Sequence, residues 1–308
     1  MDITVIHIGA GKHNKDKNDS YKKLLKYSIR KENFIEIAKA IESSVLTNTG
    51  YGSSLNLLGQ VECDASYINC YNYTIKQGAL VGMDVLHPIE NLINTYSKVE
   101  ETYQNSDLSQ PLILNYKSLQ SIKIIPRSEQ VNLVSSQARR IYDFYKDQVF
   151  NNEQFQQIII PEETTDTIGV ITMTLNETNI ATSSGGNFFK LPGRIGCAGI
   201  IGSGIAFKKF EDYEISCMCS GSGEDIIKYS LANTIVNNIL NQDYREYLHN
   251  LVKDIYVGVI VIIKEIDKVQ LIYCHTTESF HFAFKVNHDI KVILSYNNIF
   301  TIGEYKLQ

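Results

Sequence analysis

A threonine at the head of an apolar run is the residue whose placement offers covalent chemistry. In Asp166-Thr167-Ile168-Gly169-Val170 an acidic residue precedes Thr167, and Thr167 opens the run 168–173. In an intact chain it reads as a β-branched residue starting a buried strand. If the bond before it is cut, its hydroxyl becomes a nucleophile with its own freed amine as base. Three further polar islands have the composition to assist: Ala181-Thr182-Ser183-Ser184-Gly185-Gly186, Pro192-Gly193-Arg194-Ile195-Gly196 and Ser220-Gly221-Ser222-Gly223-Glu224. Between them they offer hydroxyl and backbone N–H donors for an oxyanion and a guanidinium for a carboxylate. Those are the parts that acyl transfer needs.

The elements that must position these islands follow from periodicity. Strands are expected at 3–8, 60–68, 73–83, 168–175, 179–184, 213–219, 256–265, 269–275, 279–286 and 290–295. Helices are expected at 20–31, 33–45 (capped by Asn33), 88–104 (opened by Pro88), 134–146, 224–241 and 243–254. The stretch 105–133 reads as polar and irregular, and 147–166 as an exposed linker ending at the Asp166–Thr167 junction. The order of elements predicts two packed sheets with helices outside, a layered α/β arrangement. Gly9-Ala10-Gly11-Lys12 is only a fragment of a phosphate loop and reads as a tight strand-to-helix turn. A dinucleotide fingerprint is missing.

Composition narrows the function classes. The 308 residues carry a net charge of −5 with pI near 5.8, which argues against nucleic-acid binding through bulk charge. The N-terminus has no basic, then apolar, leader pattern, and the longest apolar run, 257–263, is far too short to span a bilayer. No membrane partner is expected. The six cysteines are expected to be reduced. Cys217-Met218-Cys219 lacks the spacing of redox or zinc sites and places both thiols on one face of a strand. No metal and no cofactor are expected.

Seven segments, in order, resemble the asparaginase-like (type 2) branch of the N-terminal nucleophile hydrolases, and within it the threonine aspartases. The first is His7-Ile8-Gly9-Ala10-Gly11-Lys12-His13, and the strongest runs from Thr49-Gly50-Tyr51-Gly52-Ser53-Ser54 through Leu55-Asn56-Leu57-Leu58-Gly59 to Glu62-Cys63-Asp64-Ala65-Ser66. The islands at Asp166, Ala181, Pro192 and Ser220 continue it, and His275-Thr276-Thr277-Glu278-Ser279 closes it. The resemblance covers nearly the whole chain apart from 105–165.

The resemblance implies a four-layer αββα sandwich, the N-terminal nucleophile hydrolase fold. It implies a precursor that cuts itself between Asp166 and Thr167 into an α part, 1–166, and a β part, 167–308, which stay together as one folded unit. It implies Thr167 as nucleophile, Ser184 as the second hydroxyl, and Ser220 and Gly221 as oxyanion donors. Arg194, Gly223 and Gly11 would lie on the substrate. Polypeptides with an internal aspartate would be the partners, a homodimer of αβ units the assembly, and the cytoplasm, with the nucleus possible, the compartment. Small-substrate members resemble Gly-Arg-Val-Gly-Asp where this chain has Gly193-Arg194-Ile195-Gly196-Cys197. Their aspartate binds a free substrate α-amine, which an internal aspartate lacks, so Cys197 favours an endopeptidase cutting after aspartate. The alternatives are an L-asparaginase or isoaspartyl peptidase, and a member that folds without processing.

Overall fold

The computed structural model describes residues 1–104, 106–125, 132–151, 167–266, 268–296 and 299–307. The first half supplies β1 (Ile3–Gly11), α1 (Asn18–Ser28), α2 (Phe34–Glu42), β2 (Cys63–Tyr71), β3 (Thr74–Met83), α3 (Pro88–Tyr103), β4 (Ile113–Asn115), α4 (Tyr116–Ser121) and α5 (Ser136–Asn151). The second half supplies β5 (Ile168–Met173), β6 (Glu177–Ser184), β7 (Ile205–Lys209), β8 (Tyr213–Gly221), α6 (Gly223–Lys228), α7 (Leu231–Asn238), α8 (Tyr244–Val252), β9 (Val257–Glu265), β10 (Val269–His275), β11 (Ser279–Val286), β12 (Asp289–Tyr296) and β13 (Thr301–Leu307). The strands form an eight-stranded sheet ordered β12-β11-β1-β5-β6-β2-β3-β4 and a five-stranded sheet ordered β13-β10-β9-β8-β7.

Period-2 alternation explains why the sheets stack with helices outside. On β5, Ile168 and Val170 face the helix-side core with Leu25, Ile37, Ile41, Ile89 and Leu92 of α1, α2 and α3, while Ile171 and Met173 face the other sheet. On β9, Val257, Val259, Val261 and Ile263 pack under α7 and α8, and Ile260 and Ile262 turn inward to meet them. The middle core is completed by Val5, Ile180, Ile205, Met218 and Phe282. The fold is the mixed α/β sandwich of two sheets and flanking helices that the sequence implied.

Local chemistry sets the ends of the helices near the site. Asn33 accepts from the Glu36 N–H at the start of α2, and Asp243 accepts from the Arg245 and Glu246 N–H groups at the start of α8. Four expectations change. The helix expected over 224–241 is two, α6 and α7, broken where Ser230 adopts φ 44°. The helix expected over 134–146 runs on to Asn151, so the linker expected from 147 begins later, and 152–166 lies outside the described residues. The irregular stretch 105–133 contains β4 and α4. Strands β7 and β13 were not foreseen. The expected pairing of Cys217 and Cys219 on one face holds: both are buried with sulfurs 3.9 Å apart. Among the described residues no helix is long and apolar enough to cross a membrane.

Candidate active site

Thr167 stands one residue before β5, and the β5–β6 register pairs Ile168 with Ser183. The next step along that antiparallel ladder sets Thr167 beside Ser184. The Thr167 hydroxyl donates to Ser184 Oγ at 3.1 Å, and both residues are buried. Ser184 Oγ also accepts from the Gly186 N–H at 3.1 Å. A hydroxyl in this position is held in one direction by the sheet itself. Asp166, the residue expected to precede the cut, lies outside the described residues.

The second sheet reaches the same place through the end of β8. Ser220 Oγ accepts from the Ala10 N–H at 3.0 Å and donates to the Thr167 carbonyl across a long 3.5 Å. Gly221, at φ 131°, lies where a Cβ would fall 2.3 Å from the Tyr256 carbonyl, so only glycine lets β8 turn off there. Gly11 sits one residue beyond Ala10, with its carbonyl taken by Ser279 Oγ at 2.8 Å. Ser220 thus ties the end of β8 to β1 and to Thr167 at the head of β5.

Arg194 arrives on a loop pegged by acids. Gly193 N–H donates to Glu62 Oε2 at 3.1 Å, Gly196 N–H to Asp64 Oδ2 at 2.8 Å, and Lys190 Nζ to the Glu62 carbonyl at 2.5 Å. Burial alone would raise the Glu62 pKa, but Lys117, Asn56 and the Gly193 N–H outweigh it and hold the carboxylate below its usual range. Asp64 goes the other way: burial pushes its pKa up despite Lys190 and the N–H donors of Gly196 and Gly82. The guanidinium lies across three glycines. A Cβ on Gly186 or Gly196 would come within 2.8 Å of its Nη1, and one on Gly223 within 2.9 Å of its Nη2. Gly186 therefore links the two halves of the site, touching Ser184 through its N–H and Arg194 through its bare Cα.

The structure brings Thr167, Ser184, Ser220, Arg194 and Gly223 to one end of the sandwich. Cys197, three residues beyond Arg194, is buried, and desolvation pushes its thiol up to about 12, so it carries no charge for a substrate ammonium. Four supporting residues had no role in the sequence reading. Asn48 Nδ2 donates to the Gly186 carbonyl at 2.8 Å. Glu42, fully buried, accepts from Ser183 Oγ at 2.7 Å and the Ile89 N–H at 3.0 Å, and burial pushes its carboxyl up to about 8. His7 accepts from the Gly9 N–H at Nδ1, and burial lowers it to about 3, against the opposing pull of the Thr167 backbone. Glu224 pairs with Arg194. Glu42 and Asn48 carried signal only as polar residues beside apolar or glycine-rich runs, whereas His7 and Glu224 stand in segments that carry the resemblance.

The family model Asparaginase_2, described as "Asparaginase", matches residues 5–255. The chain belongs to this family. Curated relatives agree in kind. A probable isoaspartyl peptidase/L-asparaginase of Drosophila pseudoobscura pseudoobscura is 31% identical over 198 residues, which is 61% of this chain and 57% of the relative. A plant-type L-asparaginase of Thermococcus kodakarensis is 27% identical over 206 residues, covering 65% and 63%. An isoaspartyl peptidase/L-asparaginase of Xenopus laevis is 25% identical over 252 residues, covering 77% and 75%. The matched part is thus under two thirds of the fly and archaeal relatives. Family membership makes this chain a relative of hydrolases of the N-terminal nucleophile type; none of these three relatives is named a threonine aspartase.

Proposed function

We propose that the protein is a threonine-type endopeptidase that cuts itself before Thr167 and then cuts other polypeptides after aspartate. The observation that carries a hydrolytic role is the buried Thr167 hydroxyl donating to Ser184 at 3.1 Å. Self-cleavage balances simply. Thr167 Oγ bonds to the Asp166 carbonyl carbon, the carbon–nitrogen bond breaks, and the hydroxyl proton passes to the Thr167 nitrogen, which becomes a free amine. Water then splits the ester, restoring the hydroxyl and leaving an Asp166 carboxylate. The freed amine, with an ordinary pKa of about 7.7–8.0, is close enough to neutrality to act as the base for later turnovers. Residues 1–166 and 167–308 would be the two parts, polypeptides with an internal aspartate the substrates, and a dimer of such units the assembly.

Cys197 supports the peptidase over an amino-acid amidase, because a neutral buried thiol offers an ammonium nothing comparable to a carboxylate. The relatives' names support the second reading, an L-asparaginase or isoaspartyl peptidase. Intact mass and a denaturing gel test the first step: two fragments meeting at 166/167 are expected, and one uncut chain for Thr167→Ala. An uncut wild type under activating conditions defeats the catalytic reading. Side-by-side assays on an aspartate-containing peptide, on L-asparagine and on a β-aspartyl dipeptide then separate the two substrate classes.

A further inference from the structure

Arg194 does not wait for a substrate with all its donors open. Glu224, the second residue of α6, takes one edge of the guanidinium: Oε1 accepts from Nε at 3.0 Å and from Nη2 at 2.7 Å, and Oε2 accepts from Nη2 at 2.7 Å. Asn187 Nδ2 steadies the same carboxylate at 3.4 Å. The opposite edge, at Nη1, lies against the bare Cα positions of Gly186 and Gly196. Gly186 is also the residue whose N–H reaches the Ser184 hydroxyl. The edge that meets the neighbour of the Ser184 hydroxyl is therefore Nη1, not the edge held by Glu224. The Arg194 side chain is 15% exposed, whereas that of Glu224 is 61% exposed, so the clamp sits on the solvent side.

We infer that Glu224 is a positioning residue, which grips the Nε/Nη2 edge of Arg194 and so presents the Nη1 edge to the carboxylate of an aspartyl substrate. This rests on Arg194 being the carboxylate-binding residue of the proposed function. A guanidinium has two usable forks, and a flexible arginine must lose side-chain freedom to offer either one. Fixing one fork in the free protein removes that cost from substrate binding. The glycines supply the room: a side chain on any of the three would strike the guanidinium.

The test uses the mature full-length protein and two probes, N-acetyl-aspartate α-amide, which carries one carboxylate, and its neutral asparagine counterpart. Binding is measured by calorimetry, and KM and kcat are measured on an aspartate-containing peptide. Arg194→Ala is expected to lose the acidic probe. Glu224→Ala is expected to weaken it about tenfold, ~1.4 kcal/mol, with KM rising by a similar factor and kcat changing far less. Glu224→Gln, which keeps the shape and one acceptor, is expected to fall between. Unchanged or tighter binding by Glu224→Ala overturns the inference, and tighter binding would make Glu224 a competitor. A protein that binds the acidic probe in a Glu224-dependent way yet cuts nothing keeps the clamp and loses the peptidase. One that cuts after aspartate with KM indifferent to Glu224 does the reverse.

Discussion

Thr167 and Arg194 are held by opposite means. Thr167 and Ser184 are neutral, buried and set by adjacent strands, so their separation is a consequence of sheet register. Arg194 is charged, partly exposed and carried on a loop, so its place depends on carboxylates that reach the loop from β2 and α6. Register tolerates little: a slip of one residue would turn every side chain to the other face. A pegged loop is instead as sound as each of its pegs. The contrast teaches that mutations near Thr167 should act through packing and those near Arg194 through single polar contacts.

Asp64→Asn should break the second region hardest. Asp64 is buried and accepts from Gly82 N–H at 3.0 Å and Gly196 N–H at 2.8 Å, with Lys190 and Arg194 nearby. An amide replaces one acceptor with a donor facing an N–H, and a loss of about 3 kcal/mol is expected. Chemical denaturation reads that loss, and KM for an aspartate-containing peptide should rise together with it. A stable variant with normal KM would show that the loop does not need its peg.

Gly169→Ala should break the first region by a smaller amount. A Cβ there would lie 2.3 Å from His7 Nε2 and 2.7 Å from Met218 Sδ, in the space between the sheets. Overpacking of this kind costs about 1–3 kcal/mol, and the shifted β5 should slow appearance of the two fragments on a gel. A normal melting temperature with normal processing would mean that the register of β1 and β5 has more slack than their ladder indicates.

A further effect is a pH dependence behind the hydroxyls. Burial raises Glu42 from the ordinary 4.5 to about 8, with Glu90 adding to the shift and Ser183 and the Ile89 N–H opposing it. The folded chain therefore keeps a proton that the unfolded chain gives up. That contribution to stability is full below pH 4.5 and is lost as the pH rises toward 8. Glu42→Gln should gain on the wild type in melting temperature between pH 5 and about pH 9. A difference that stays flat across that range would show that Glu42 is charged in the fold.

The sequence was most legible where one face of an element meets a core. β10 and β11 were located to the residue, and β5 and β6 to within two, because period-2 burial leaves its mark on composition. β7 was hidden because its five residues end in Lys208 and Lys209 and follow a turn rich in glycine. The break at Ser230 was hidden because apolar spacing continues across it into α7. At the site, Thr167, Ser184, Ser220 and Arg194 were named through the resemblance, and the fold brings them together. Asp64, Glu42 and Glu224 were not assigned roles, because their meaning lies in partners 132, 141 and 30 residues away. Nothing local in a carboxylate tells which backbone it will hold.

The strand order of the large sheet has a consequence for a molecule cut at residue 167. β1 from the first part lies between β11 and β5 of the second, and β2 lies between β6 of the second and β3 of the first. The two chains would interleave like the fingers of clasped hands, with no plane along which they part without breaking ladders. Native cleavage would therefore be silent to size and shape, yet it would change the order of the unfolding reaction from one chain to two. The melting temperature of the cut protein would then rise with its concentration, whereas that of the uncut chain would not.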